Sequence, residues 1–201
     1  MCANSFSQVK MNMFSSDMSI SHDSIPAPDL INSPINGIFI SPMMGLEFPV
    51  PKFINTAKNG FTYGIKLEYA NYNLYPVIIG LMYQGQTNSG DDNYITANLL
   101  NNLSTKISSF GVTMDFILNK YFKYQFTIPF MTLELKYLSI TRSISPTPNN
   151  TNLSTSDNTF GITAGFGFTL NIFDVYGTYT YAKDYSSAGI KTRIHYPLIK
   201  F

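Results

Sequence analysis

The sequence contains few charged residues. Asp, Glu, Lys and Arg make up only 12% of its 201 residues, whereas roughly a quarter is usual for a globular protein. Hydrophobic residues account for 44%, and Asn, Ser, Thr, Tyr and Phe occupy positions that a soluble domain would give to charges. We therefore expect the folded chain to expose much less charge than an ordinary soluble domain.

Other features that the sequence lacks exclude several classes of protein. Thirteen basic and twelve acidic residues give a net charge of +1, so no strong field attracts nucleic acid. The single cysteine, Cys2, excludes an internal disulfide and a cysteine-rich zinc site. No apolar run approaches the roughly 20 residues of a membrane-spanning helix. A phosphate-binding loop, a nucleophile elbow and a dinucleotide fingerprint are also missing, so no cofactor is expected.

The first 34 residues differ in character from the rest. Residues 9–34 are rich in Ser, Met, Asp and Pro and show neither a period of 2 nor a period of 3.6. We predict a flexible extension over residues 1–34 and a folded domain over 35–201. Residues 1–8 are interpreted as the remnant of a truncated leader, the alternative being an unstructured start.

Alternation of apolar and polar residues dominates the chain after residue 35. Successive side chains of a β-strand point to opposite faces, so a period of 2 indicates a strand with one apolar face. The pattern is clearest where five or six large apolar residues occupy every second position: Phe61, Tyr63, Ile65, Leu67 and Tyr69, and Phe160, Ile162, Ala164, Phe166, Phe168 and Leu170.

Eight strands are predicted from this pattern. Most reach ten residues, whereas about 5–6 is typical of globular strands and about 9–11 is required of a tilted strand that crosses a membrane. We expect bulges beside Pro129 and at Pro197, where the pattern changes phase. The strands are placed at about 36–49, 60–71, 75–87, 106–119, 122–141, 159–171, 174–184 and 189–201.

The connections between the predicted strands alternate between short and long. Links at 72–74, 120–121 and 172–173 are tight, whereas 50–59, 88–105 and 142–158 are long and polar. Short turns at one end and long loops at the other are typical of bacterial outer-membrane barrels. We expect the aromatic residues at the tight turns to form an interfacial girdle, with Phe201 on the same side: Tyr72, Tyr75, Tyr121, Phe122, Phe173 and Tyr176.

Together these features resemble the small eight-stranded outer-membrane barrels of the OmpA and OmpX kind, over roughly residues 36–201. The final strand resembles the assembly signal of such barrels because it ends on Phe201, although Pro197, His195 and Arg193 interrupt the usual apolar alternation. The resemblance implies an all-β, eight-stranded antiparallel up-and-down transmembrane β-barrel in the bacterial outer membrane. Its partners would be outer-membrane lipid and the barrel assembly machinery.

If the apolar faces meet lipid, the opposite faces fill a narrow barrel. Four acids and four bases then become interior residues, which is the balance that a poorly hydrated interior requires. The alternative interpretation is that charges merely occupy the wet face of any amphipathic strand. The predicted interior charge network contains Glu47, Lys66, Glu68, Asp115, Glu134, Lys136, Lys191 and Arg193.

The residues available for catalysis are few. The two histidines are His22, in the extension, and His195, which we expect to join the interior network. Asp91, Asp92 and Asp157 are interpreted as solvated loop carboxylates rather than a calcium site. We therefore predict no enzyme activity and no metal site.

Function is expected to lie on the exposed loops 88–105 and 142–158. Their Asn, Ser and Thr content suits hydrogen bonding to a sugar or to another protein, so we predict a structural or adhesion-like recognition role. Two alternatives stay open: a narrow pore, and a soluble lipocalin-like barrel whose apolar face turns inward around a lipid.

Overall fold

The computed structural model describes residues 36–119, 127–146 and 153–200. The predicted extension 1–34, Tyr121, Phe122 and Phe201 lie outside these ranges. Among the described residues, no helix is long and apolar enough to cross a bilayer.

Nine strand segments form a single closed antiparallel sheet. β1 pairs with β2 on one side and with both β8 and β9 on the other, so β8 and β9 are two segments of one strand, interrupted at His195. The predicted eight-stranded up-and-down barrel is confirmed. The segments are β1 (Gly37–Pro49), β2 (Ala57–Ala70), β3 (Val77–Gly90), β4 (Asn102–Ile117), β5 (Ile128–Ser145), β6 (Ser156–Leu170), β7 (Phe173–Ala182), β8 (Ser187–Ile194) and β9 (Tyr196–Lys200).

The two ends of the barrel differ in their connections. The turn end carries the connections 71–76, 118–127 and 171–172, and the loop end carries 50–56, 91–101, 146–155 and 183–186. Asp91 caps the N-terminus of a short helix α1 (Asp92–Ala97), because its carboxylate accepts hydrogen bonds from two backbone N–H groups. The strands run further at the loop end than predicted, so the connections expected at 88–105 and 142–158 shorten to 91–101 and 146–155.

The outer surface changes from apolar to polar along the strands. Large apolar side chains cover the barrel wall from the turn end up to a row of aromatic residues that pair across four strands. On β4 to β6, the outward side chains beyond this aromatic row, towards the loop end, are polar, as at Lys106, Ser108, Thr141 and Asn158. The aromatic row consists of Tyr83, Phe110, Tyr137 and Phe160.

Two expectations about local structure are wrong. No bulge lies beside Pro129, because β5 keeps an unbroken register with both β4 and β6; instead, Phe130 points inward and is fully buried. Tyr176 is also buried in the interior and takes no part in a girdle. The second predicted bulge is present at Leu198, since Phe39 pairs with Pro197 and Ile38 pairs with Ile199.

Candidate functional site

The barrel interior contains all eight charges placed there from the sequence. None of these residues is more than 4% exposed. Asp174, which sequence analysis did not select, is a ninth and is fully buried. Its neighbour Val175 faces outward, so the alternation along β7 would have predicted that Asp174 faces the interior. The charges divide into two clusters.

Arg193 is the centre of the first cluster, which lies towards the turn end. Its Nη1 atom lies 2.9 Å from Glu68 Oε1 and 2.6 Å from Asp115 Oδ2, and its Nε lies 2.5 Å from Asp174 Oδ2. The rings of Phe130 and Tyr176 lie 4.9 and 5.4 Å from the guanidinium carbon. One cation therefore faces three carboxylates and two aromatic rings, an arrangement in which the planar guanidinium makes several directed contacts at once.

His195 provides the second positive group of this cluster. Its Nδ1 lies 2.9 Å from Glu68 Oε2 and its Nε2 lies 2.8 Å from Asp174 Oδ2. An ionised carboxylate only accepts hydrogen bonds, so both ring nitrogens must donate and the imidazole carries a positive charge. The His195 side chain is 19% exposed, the most accessible of the cluster.

Ser41, His195 and Asp174 have the composition of a nucleophilic triad, but their contacts serve charge pairing. Ser41 Oγ lies 3.0 Å from His195 Nδ1, yet the hydroxyl donates its proton to Glu68. A ring that already donates from both nitrogens does not act as a general base. Ser41 is also fully buried, out of reach of a substrate.

Three lysines and two glutamates form the second cluster. Lys66 and Lys136 pair with the two oxygens of Glu134 at 3.0 and 3.2 Å. Lys191 lies 3.0 Å from Glu47 Oε1, and Ser187 donates to the other Glu47 oxygen at 2.8 Å. The excess positive charge here balances the excess negative charge around Arg193, so five carboxylates face five cations in the interior when His195 is counted.

The interior near the loop end contains an apolar cluster in addition to buried polar side chains such as Asn88 and Thr105. Phe53, from the connection 50–56, packs against Tyr185 with ring centroids 5.7 Å apart. Sequence analysis missed this apolar cap, although inward Ile107, Leu138 and Ile140 signal it. The cap consists of Phe53, Ala57, Ile107, Leu138, Ile140, Ala182 and Tyr185.

Tyr185 links the apolar cap to charges of the loop end. Its hydroxyl donates to Asp157 Oδ2 at 3.0 Å, and the Arg142 guanidinium carbon lies 5.1 Å from its ring. Burial raises the pKa of the Tyr185 hydroxyl; the hydrogen bond to Asp157 acts in the same direction, while the Arg142 charge opposes it.

The loop carboxylates have protein partners. Asp91 caps α1, Asp92 pairs with Lys58 at 2.6 Å, and Asp157 accepts from Tyr185. Within the part of the chain that the structure describes, no group of three or more His, Cys, Asp or Glu residues is arranged to hold a metal.

Comparisons with known proteins give matches by structure. No protein-family model matches the sequence, and a search of curated proteins finds no significant match. The crystal structure of Neisserial surface protein A, an eight-stranded outer-membrane barrel, superimposes with a TM-score of 0.52 at 14% identity, covering 82% of this chain and 100% of that one.

Two further barrels match with lower scores. The N-terminal barrel domain of Pseudomonas aeruginosa OprF has a TM-score of 0.48 at 11% identity, covering 81% of this chain and 99% of that one. Ail, the attachment invasion locus protein of Yersinia pestis, has a TM-score of 0.41 at 14% identity, covering 80% and 99%. The closed eight-stranded sheet and the match to Neisserial surface protein A show that this chain has the fold of the small eight-stranded outer-membrane β-barrels.

Proposed function

We propose that this protein is an integral outer-membrane barrel without enzyme activity, which presents a recognition surface at its loop end. One observation carries the membrane placement: the polarity of the wall reverses at the aromatic row. From β4 to β6, the wall on the turn-end side of that row is apolar outside and faces the charge clusters inside, whereas on the loop-end side it is polar outside and contains the apolar cap inside. Such a reversal is expected where a barrel leaves a bilayer.

The filled interior supports a structural or recognition role over transport. The two charge clusters occupy the part of the barrel surrounded by the apolar wall, and the apolar cap fills part of the described interior towards the loop end. A water-filled channel of the porin kind needs an open polar lumen. We therefore expect no stable conductance.

The loop end supplies the surface for recognition. One ion pair joins the connections 50–56 and 183–186, from Lys52 to Asp184 at 3.1 Å, and another joins the start of β2 to α1, from Lys58 to Asp92 at 2.6 Å. Two apolar side chains protrude beside them: Leu99 is 85% exposed and Ile54 is 54% exposed. Braced loops with exposed apolar tips suit contact with another macromolecule, and adhesion is the role that we propose.

Gel mobility of detergent-refolded protein tests the membrane placement. Closed membrane barrels often resist detergent until they are boiled, so we expect boiled and unboiled samples to migrate differently. A protein that folds without detergent and shows no such difference would support the lipocalin-like alternative and overturn the proposal.

Planar-bilayer recording tests the closed interior. We expect no single-channel steps from the wild type. Steps whose size changes when Lys66 is neutralised by Lys66→Met would favour the narrow pore instead.

Binding by the loop end is tested with vesicles that carry the protein, applied to immobilised extracellular proteins and glycans. The matched control replaces residues 92–99 with Gly and Ser and preserves the barrel. We expect vesicles with the wild-type protein to bind at least one immobilised protein or glycan, and vesicles with the replaced loop to bind it much less. Equal binding of the two kinds of vesicle would contradict recognition through this loop.

A further inference from the structure

The connection 91–101 leaves helix α1 through a left-handed backbone conformation at Leu99, whose φ is 54°. The Leu100 N–H donates to the Ile95 carbonyl at 2.9 Å. The Leu99 N–H donates to the Thr96 carbonyl at 3.2 Å. These two bonds form a Schellman motif, in which the left-handed residue is usually Gly and sometimes Asn. Leu is unfavourable at this position, because a left-handed backbone brings its Cβ too close to the following carbonyl oxygen.

The other left-handed residues of the described chain have side chains that suit or offset the conformation. Asn171 at the turn end and Asp184 at the loop end have φ of 61° and 64°, and Asn and Asp tolerate this region best after Gly. Lys52 has φ of 75°, and its ammonium pairs with Asp184 at 3.1 Å. Leu99 neither favours the conformation nor has a polar group that could form such a pair.

The Leu99 side chain also contributes little to the folded core. It is 85% exposed, the largest fraction of any large apolar side chain that the structure describes. Leu100 is only 7% exposed, so the next residue already anchors the loop in the interior. A strained residue whose side chain does not pack within the fold points to a role outside it.

Hydrogen bonds hold the loop that carries Leu99. The Asn101 N–H donates to the Ser145 carbonyl at 2.7 Å, which ties the loop to the end of β5. The Asp91 N–H donates to the Thr56 carbonyl at 3.2 Å, which ties it to the residue before β2. A side chain on a loop that is already ordered loses less conformational freedom on binding than one on a free loop.

The surroundings of Leu99 are polar but carry no unpaired charge. Asp92, the nearest charged residue in the loop, pairs with Lys58 at 2.6 Å. An apolar centre inside a polar rim is the arrangement found at protein–protein interfaces. An aliphatic side chain offers a saccharide no hydrogen bond, and its burial is favourable only in an apolar environment. The exposed residues beside Leu99 in the loop are Asn93, Thr96, Asn98 and Asn101.

We infer that Leu99 anchors a protein-binding surface at the loop end, where it enters an apolar pocket of an extracellular protein. The inference rests on the proposed recognition function and deepens it, because it names the class of partner and the side chain at the centre of the contact. The amides of the rim would then form hydrogen bonds around the buried leucine.

Two substitutions separate the apolar side chain from the backbone strain. Leu99→Asn keeps a side chain of moderate size but makes it polar, and Asn tolerates the left-handed region. Leu99→Met keeps both the strain and the apolar character. Asn171→Gly relaxes a left-handed residue at the opposite end of the barrel and is the control for strain alone.

Vesicles that carry each variant are applied to an array of purified serum and extracellular-matrix proteins and purified glycans. We expect the wild type to be retained by a protein on the array, and Leu99→Asn to bind that protein at least tenfold more weakly. Leu99→Met and Asn171→Gly should bind within a few-fold of the wild type. In urea titrations, Leu99→Asn should raise the folding equilibrium constant about fivefold, because it relieves the strain.

Four other results would overturn the inference, and they differ in what they say about the proposed function. If Leu99→Asn binds like the wild type while the replacement of 92–99 does not, the loop recognises its partner without this anchor. Retention by glycans or by bare phosphatidylcholine, and by no protein, would leave a loop-end surface with a different class of partner. A lower folding equilibrium constant for Leu99→Asn would show that Leu99 serves the fold. If nothing on the array retains the wild type, the recognition function fails as well.

Discussion

The interior of this barrel is filled by ion pairs towards the turn end and by apolar side chains at the loop end. Around Arg193 and Glu134, every charged group has an opposite charge within 3.2 Å. Around Phe53 and Ile140, the interior resembles the core of a soluble protein. The same strands pass through both regions, so neither strand length nor topology determines the difference.

The surroundings outside the wall explain the contrast. Where the outer face is apolar, the inward face receives the charges that the sequence contains; where the outer face is polar, the inward face supplies the apolar core. In each region one face of the sheet is apolar, because an antiparallel strand needs an apolar face to bury in lipid or in a core. The apolar face of the sheet is therefore the outer one around the charge clusters and the inner one around the apolar cap.

The largest expected effect is on the charged region. Arg193→Ala leaves Glu68, Asp115 and Asp174 with too little positive charge, and removing one partner of a buried ion pair costs about 3–5 kcal/mol. We expect a loss of this size in the free energy of unfolding, measured by urea titration in phospholipid vesicles. Lys183→Ala, at the exposed loop end, is the control and should change it little. A similar small loss for both variants would show that the ion pairs contribute little.

The outer faces of the two regions are compared on one strand. Phe166→Arg places a charge in the apolar wall, where an arginine near the bilayer centre costs about 2–4 kcal/mol. Asn158→Arg lies on the same outer face of β6 beyond the aromatic row and should be nearly neutral. Insertion into vesicles measures both, and equal insertion would contradict the reversal of polarity at the aromatic row.

A smaller effect is expected in the apolar cap. Ile140→Val removes one methylene from a fully buried side chain, which costs about 1 kcal/mol through lost contact and a small cavity. This loss in the free energy of unfolding should be the same at low and high salt, whereas the loss caused by a substitution in an ion pair should depend on the salt concentration. A salt-dependent loss would indicate that the cap and the ion clusters are coupled.

The smallest expected effect is a pH dependence of the free energy of unfolding, which comes from Tyr185 in the apolar cap. The raised pKa of Tyr185 means that the folded chain holds this proton more firmly than the unfolded chain, whose tyrosine ionises near pH 10. Stability from this group is therefore complete below about pH 10 and is lost as the pH rises through the folded value. Tyr185→Phe should reduce the alkaline loss in the free energy of unfolding; an unchanged pH profile would contradict the assignment.

Much of the fold could be predicted from the alternation of residues, because a lipid-facing strand repeats large apolar residues without interruption. The strand ends were less predictable. Beyond the aromatic row, outward residues such as Ser108 and Thr141 are as polar as loop residues, so β4 and β5 extend further than the apolar pattern indicates.

Two inward aromatic residues were not predicted. Tyr176 was expected in the interfacial girdle because it lies near the tight turn at 172–173, and no inward position was predicted for Phe130. Both lie inside because their rings cover the guanidinium of Arg193, a long-range contact that no local pattern reveals. The charge clusters likewise depend on register across strands: Glu68 and Arg193 are 125 positions apart in the chain.

The order of the interior charges along the chain couples closure of the sheet to neutralisation. All five carboxylates and two lysines lie on β1 to β7, so an open seven-strand sheet has a net charge of about −3 on its inner face. The last strand brings Lys191, Arg193 and His195, which together supply the missing positive charge. Pairing of the last strand with β1 therefore also neutralises the interior. A barrel that stops before this step keeps a net negative charge on its inner face, and this charge distinguishes it from the closed barrel.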